Sequence, residues 1–456
     1  MNLEIFKKYN KPGPRYTSYP PATFFEGGFT SEQYIEQIKK SNTNKPENLS
    51  FYVHIPFCPR LCHFCGCNTG ISQKESVIRQ YIDSIIKEIK TVTRYLDKNR
   101  KVSQIHWGGG TPNSINLDYV EEIMSVFRNN FQFTENAEIA MECHPAYLDF
   151  KDIDQLKESG FNRISLGVQD FDPEVLKTVN REPSKLPIKK LVQYMKEKGF
   201  AGINLDLIYG LPGQTPKSFA ENVNKAIEIS PDRLATFSYA HVPWVKAAQK
   251  ILEKKGLPTP DEKLKMFLTG LNMLTRAGYV TIGMDHYAKK GDELSKALKN
   301  KTLHRNFQGY ATRETTGQVI GFGSSSITQL QGAYIQNVKQ YKQYMELIEK
   351  YGVAPDKAYV MKSEDIIIRD VITEIMCNGE VDFDKVGENF STDANKIKEI
   401  VQYSPDKLKD FLNDNLVSIS KNKVKIHKEG FFIVRNIAMA FDPLLKETEG
   451  RYSKTI

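Results

Sequence analysis

From Leu49 to about residue 325, short apolar and β-branched runs alternate with longer stretches whose apolar positions recur every three or four residues. The runs LSFYVHI (49–55), VSQIHWG (102–108), AEIAMEC (137–143), RISLGVQ (163–169), INLDLIYG (203–210), RLATFSYAH (233–241) and YVTIGMDHY (279–287) read as strands. Between them, SVIRQYIDSIIKEIKTVTRYL (76–96), DYVEEIMSVFRNNF (118–131) and SFAENVNKAIEI (218–229) read as helices. In the first, Ile78, Tyr81, Ile82, Ile85, Ile86 and Ile89 fall on one face. Regular β-α alternation implies parallel strands joined by crossover helices. The expected fold is therefore α/β: a partial or complete parallel β/α barrel, with an open doubly wound sheet as the alternative.

The pattern changes at both flanks. Residues 1–48 form a Pro- and Tyr-rich arm ending in one helix, SEQYIEQIKK (31–40); residues 49–330 carry the barrel. Residues 331–456 are expected to form a mainly helical C-terminal domain. VKQYKQYMELIEKYG (338–352) and SEDIIIRDVITEIMCNG (363–379) have helical periodicity. Two alternating runs around Lys421-Asn422 then read as a hairpin before a last helix, FFIVRNIAMAF (431–441), a winged-helix-like order.

Composition narrows the class. The chain has 456 residues, 40% hydrophobic and 26% charged, enough for a sizeable core. Its 63 Lys+Arg against 55 Asp+Glu leave +8 without a long basic run, which suits a small anion and argues against a nucleic-acid partner. No apolar window approaches a membrane span, and the N-terminus lacks a signal-peptide core. The expected location is the cytoplasm, where thiols stay reduced.

Four of the six cysteines crowd into CPRLCHFCGC (58–67). A disulfide, a zinc site, inert buried thiols and an iron–sulfur cluster all remain open on composition. The single-loop spacing favours a cluster held by Cys58, Cys62 and Cys65, which would leave one iron without a protein ligand. HWGGGTP (106–112) lets backbone approach closely, a weak signal alone. Glu142, Gln169, Asp206 and His241 sit near the C-terminal ends of successive strands, the rim where such barrels build active sites. Arg181 offers a bidentate donor for a carboxylate.

The motif C-x3-C-x2-C within HIPFCPRLCHFCGC resembles the radical S-adenosylmethionine superfamily. That resemblance implies a 4Fe-4S cluster whose open iron chelates S-adenosylmethionine, with reductive cleavage yielding a 5′-deoxyadenosyl radical. It gives Cys67 no ligand role. GPRYTSYP (13–20), YVHIPFCPRLCHFCGC (52–67), LGVQDF (166–171), DLIYGLPGQTPKSF (206–219), YAHVPW (239–244), GMDHYA (283–288) and HRNFQGY (304–310) further resemble the oxygen-independent coproporphyrinogen III dehydrogenase family, over almost the whole chain.

What this resemblance implies is specific. Two S-adenosylmethionine molecules are expected beside one cluster. Tyr52, Gly109 and Glu142 fall to the first, with Tyr52 also the catalytic candidate. Phe64, Gly110, Thr111, Gln169, Arg181 and Asp206 fall to the second, with Ala240 and Ile327 as backbone contacts. ECHPAY departs from the family's usual sequence after Glu142, at Cys143 and His144.

The implied reaction is oxidative decarboxylation of two propionates of coproporphyrinogen III to vinyls, giving protoporphyrinogen IX in haem synthesis. A propionate β-hydrogen is not acidic, so a radical must remove it. Arg15, His304 and Arg305 are the proposed anchors for the substrate carboxylates. The expected partners are the tetrapyrrole and a one-electron donor such as a flavodoxin or ferredoxin, with the protein a monomer. Rival readings are a haem-binding chaperone and a haem-opening radical methyltransferase. From another class comes an iron-sensing nucleic-acid-binding regulator, for which Lys421, Lys423 and Lys425 are too few.

Overall fold

The computed structural model describes residues 3–72 and 74–445. Residues 1–2 and 446–456, the outermost parts of the expected arm and C-terminal domain, lie outside the described residues. Seven parallel strands form the centre of a thirteen-stranded sheet: β1 (Leu49–Ile55), β2 (Val102–Gly109), β3 (Phe133–Cys143), β4 (Arg163–Gln169), β5 (Gly202–Tyr209), β6 (Arg233–Ser238) and β7 (Gln318–Phe322). They lie in the order β7-β1-β2-β3-β4-β5-β6.

Antiparallel strands extend both edges. Ile327–Gln329, Ala333–Asn337, Pro355–Val360 and Glu26–Gly27 follow outward from β7; His286–Lys289 and then Tyr279–Gly283 follow from β6. No ladder joins the two outermost strands among the described residues, so the barrel is partial.

Alternation explains what each strand does. In β1, Phe51, Val53 and Ile55 are buried in the hydrophobic core, which also takes Ile82, Ile85 and Ile89 of the helix Glu75–Thr93. Phe51 also stacks on Phe127 of the helix Leu117–Asn130. The intervening residues face the barrel interior, and the register lines them up: Tyr52 opposite His106, Glu142 opposite Ser165, and Gly167 opposite Asp206. Polar residues on an inner face, at every second position, give a polar lumen instead of a closed apolar core.

Two strand expectations change. YVTIGMDHY is not one strand: Met284 takes a positive φ of 50°, and the chain reverses into two antiparallel strands. The seventh parallel strand comes instead from the short segment QVIGF of β7. The expected last helix is a five-residue helix, Val434–Ala438, between two tighter turns.

The C-terminal region carries the helices Ser363–Thr373, Phe383–Asn389 and Ala394–Ile400. A three-stranded antiparallel sheet, with Lys423–Ile426 between Glu380–Asp382 and Val417–Ser420, completes it. The arm reaches across to this region. Phe6 packs edge-on to Phe267 and tilted against Phe432, Tyr9 stacks on Phe411, and the Tyr16 hydroxyl donates to Asp442 at 2.9 Å. Burying Phe6 and Tyr9 contributes about 2 kcal/mol each. Among the described residues, no helix is long and apolar enough to cross a membrane.

Candidate functional site

β1 ends at Ile55 and runs into the cysteine loop, whose base is closed by a short parallel pairing of Phe57–Cys58 with Gly70–Ile71. Phe57 is fixed edge-on against Tyr81 and Tyr341. Within the loop the Cys65 amide donates to the Cys62 carbonyl at 3.0 Å. That turn brings Cys58, Cys62, Cys65 and Cys67 to the wall of one cavity of about 160 Å³ at the C-terminal ends of the parallel strands. Phe64, Gly109, Gly110, Thr111, Glu142, Gln169, Arg181 and Asp206 line the same cavity.

The glycine run does something other than present amides to a ligand. The Gly110 amide donates to Ile55 O at 2.8 Å and the Thr111 amide to Phe57 O at 2.9 Å. A Cβ at Gly110 would lie 2.6 Å from Pro56 O; one at Gly109, where φ is +114°, would lie 2.6 Å from the His54 ring. These glycines let the second βα loop lie flush against the cysteine loop. Thr111 then places its hydroxyl 3.3 Å from Cys58 Sγ.

Arg181 braces the other side. Its guanidinium donates to Cys62 Sγ at 3.5 Å and to the Gly167 carbonyl, while Asn180 donates to Leu61 O at 2.8 Å. Burial pushes the Cys58 thiol up to about 11. A hydrogen bond from the Cys67 thiol, helped by Lys246 and Arg181, lowers Cys65 below the usual thiol range. Lys246 itself donates to Cys67 O at 2.7 Å, and Gln249 to Phe64 O at 3.1 Å, so the segment after β6 is tied to the loop.

The acidic rim is also organised. The His106 Nε2 lies 3.0 Å from Glu142 Oε1. Burial works against protonation of His106, yet the Glu142 carboxylate raises it overall. Tyr52 stacks on His106 with rings 20° apart, and its hydroxyl meets His54 Nδ1 at 3.1 Å. His54 Nε2 in turn lies 3.0 Å from Asn68 O. Asp206 accepts from Ser165 at 3.0 Å and Asn204 at 2.7 Å, and burial pushes it up to about 6.

Gln169 stands apart. It ends β4 at a register shift with φ +68°, and its Oε1 is buried without a partner among the described residues. An orphaned buried acceptor costs about 1–3 kcal/mol unless a ligand supplies the donor. A set of soft thiols, an orphaned acceptor and a half-buried carboxylate fit an iron–sulfur cluster with a polar cofactor beside it. The residues where the chain departs from the family pattern border this site. Cys143 is buried, and burial together with Arg181 lowers His144 to about 3.

Other candidates lie elsewhere. Ala240 and Arg15 line a second cavity of about 440 Å³, and His304 and Arg305 line a third of about 550 Å³. Ile327 pairs with Gln336 in the antiparallel extension and packs near Tyr334. His241 faces Glu253 at 2.8 Å. Sequence reasoning passed over His54, His106, Ser165 and Asn204, although their signal was present: each falls two residues from another inward-facing polar position on its strand.

Comparison with known proteins agrees with this layout. A profile described as the radical SAM superfamily matches residues 52–226. The chain is 40% identical over 451 residues to the oxygen-independent coproporphyrinogen III oxidase of Escherichia coli strain K12, covering 98% of this chain and 96% of the relative. It is 38% identical over 462 residues to the enzyme of that name from Synechocystis, covering 100% and 98%. A solved structure of the Escherichia coli coproporphyrinogen III oxidase, described as a radical SAM enzyme, superposes with a TM-score of 0.90 at 38% identity, covering 97% of this chain and 99% of that one.

Proposed function

The chain belongs to the oxygen-independent coproporphyrinogen III oxidases of the radical SAM superfamily, and on that premise we propose how its own residues carry out the family's reaction. The activity is oxidative decarboxylation of two propionates of coproporphyrinogen III to vinyls, a step of haem synthesis in which each propionate loses a β-hydrogen atom and carbon dioxide and passes one electron to an acceptor. The observation that carries the site assignment is the single cavity that gathers the cysteine loop with residues from β2, β3, β4 and β5. Cys58, Cys62 and Cys65 are the cluster ligands in this reading, and Cys67 lies outside the set.

When bound, the reduced cluster and S-adenosylmethionine supply a primary carbon radical able to take an unactivated hydrogen. The protein positions groups and excludes water. Glu142, oriented by His106, accepts from the first cofactor's polar hydrogens; Tyr52 and Gly109 shape that end. Gln169, Arg181 and Asp206, with Phe64, Gly110 and Thr111, serve a second cofactor molecule. Ala240 and Ile327, the backbone contacts that the resemblance implies for that molecule, lie outside the wall of this cavity. An acceptor fixed by a neighbouring strand costs little reorganisation when the ligand arrives.

The electron arrives from a one-electron donor such as a flavodoxin or ferredoxin, the protein acts as a monomer, and a reducing cytoplasm keeps its thiols unpaired. The test is one anaerobic incubation of reconstituted protein with reductant, S-adenosylmethionine and coproporphyrinogen III. Both 5′-deoxyadenosine and the divinyl product are expected. Cofactor cleavage with a methylated tetrapyrrole, or with no tetrapyrrole product, overturns the reading.

A further inference from the structure

The most exposed large apolar side chains among the described residues are sequence neighbours on the segment after β6: Trp244 is 72% exposed and Val245 65%. The segment is braced from behind. Lys246 Nζ donates to Cys67 O at 2.7 Å, and Gln249 donates to Phe64 O at 3.1 Å while accepting from the Val242 amide at 2.6 Å. Beneath it, Leu252 is buried with Val175, Val179 and Leu211 in a small apolar cluster against which Phe64 packs. An apolar pair held at the surface on such a base marks a contact surface.

The outer side of the cysteine loop continues this surface. Leu61 is exposed, as are Gly66 and Cys67, and Asn68 donates to Lys339 O at 2.8 Å. Positive charge is in excess around it. Residues 243–256 carry four lysines against one glutamate, Glu253, whose Oε1 lies 2.8 Å from His241 Nε2. Lys250, Lys254, Lys255 and Lys339 are exposed and make no ion pair among the described residues. On the other side of the loop, Glu182 is taken up by Arg60 at 3.7 Å and by the Tyr147 hydroxyl. An apolar centre with a cationic rim selects an acidic partner: the rim speeds encounter, and the centre holds the docked state.

In the proposed reaction each S-adenosylmethionine cleaved takes one electron, delivered to a cluster held by the loop that this surface borders. We propose that Trp244, Val245 and Leu61, rimmed by Lys250, Lys254 and Lys339, form the docking face for an acidic one-electron carrier protein. One electron crosses the interface: the carrier is oxidised by one electron, the cluster is reduced by one, and no atom is exchanged. This rests on the proposed function and deepens it by naming where its electron enters.

The test uses cluster-loaded full-length protein with a flavodoxin, and with dithionite as a small reductant that needs no docking face. Binding of oxidised flavodoxin is measured by titration calorimetry, and 5′-deoxyadenosine formation is followed with each reductant. Wild-type affinity should weaken about tenfold as salt rises from about 50 to about 500 mM. The double variant Lys250→Glu, Lys254→Glu should bind at least about tenfold more weakly, lose most of the salt dependence and slow flavodoxin-driven formation alike. Its dithionite-driven rate should not change. Trp244 also edges the cavity of about 440 Å³, so Val245→Ser probes the apolar centre, with about a tenfold loss of binding expected. Unchanged flavodoxin affinity in the double variant overturns the docking face, and so does an equal loss with both reductants. A wild type that turns over with dithionite but does not bind the carrier overturns the face and leaves the activity standing. One that binds the carrier through these lysines yet forms no 5′-deoxyadenosine with either reductant overturns the activity and leaves the contact surface standing.

Discussion

The imidazole of His106 on β2 reaches across to β3 and lies 3.0 Å from the carboxylate of Glu142. Tyr52 on β1 stacks on the His106 ring. Three adjacent strands thus fix one acidic acceptor at the mouth of the lumen. Replacing His106 with Ala should leave iron and sulfide content unchanged and weaken S-adenosylmethionine binding about tenfold, since losing a positioning partner of this kind typically costs 10–100-fold. Equilibrium dialysis of the reconstituted variant measures it. Unchanged affinity would mean that Glu142 needs no support.

Gln169 offers a test in which stability and function part company. Its buried Oε1 has no donor among the described residues. Gln169→Met keeps the length of the side chain and removes the orphaned oxygen, so it should hold or raise unfolding free energy by about 1 kcal/mol. The same change should lower 5′-deoxyadenosine formation at least tenfold. Denaturant melts and product assay on one preparation read both.

Gly110 has no room for a side chain. Its Cβ would fall 2.6 Å from Pro56 O and 2.8 Å from Phe57 O, both backbone atoms. Gly110→Ala should therefore displace the cysteine loop at a cost of roughly 1–3 kcal/mol or more. The expected outcome is a folded protein that retains less than half the wild-type iron after reconstitution. Cys67→Ser, at an exposed position tied by its carbonyl, should retain the full iron content.

Glu88 should give the fold a pH dependence unrelated to the cysteine loop. It is fully buried and accepts from Gly323 N, Asn337 Nδ2 and the Tyr344 hydroxyl, yet burial pushes it up to about 7. A carboxyl raised in the folded state keeps its proton where the unfolded chain has lost it. Its contribution is therefore present below the ordinary carboxylate range and declines as pH rises to about 7, by on the order of 3 kcal/mol. Glu88→Gln should flatten this part of the stability–pH profile between pH 5 and 7 in urea melts; an unaltered slope would assign it to other groups.

Much of the fold was legible because parallel strands and amphipathic helices carry strong periodicities. Phe51, Val53 and Ile55 alternate with inward residues, and the helix bearing Ile82 and Ile85 shows its apolar face plainly. Two features escaped. Nothing in YVTIGMDHY marks Met284 as the point of reversal, because its positive φ follows from tertiary pairing of His286 with Ala235. QVIGF is five residues of continuous burial between glycines, too short for periodicity to identify.

The site divides in the same way. Thiol spacing and strand-end polar residues converge on one cavity, as their sequence positions suggest. The glycine run says in sequence only that backbone can approach closely, while in the structure the Gly110 and Thr111 amides donate to Ile55 O and Phe57 O. No single-residue signal reveals how a loop will dock on its neighbour.

The docking of the arm on the chain's last helices has a bearing on biosynthesis. Phe6, Tyr9 and Tyr16 wait for Phe432, Phe411 and Asp442, more than 400 residues later in synthesis. Asn10 and Pro12 of the arm and Phe432 and Ile433 near the other end line one cavity together, so a nascent chain whose parallel strands have all emerged still has that chamber open on one side until the final segment arrives.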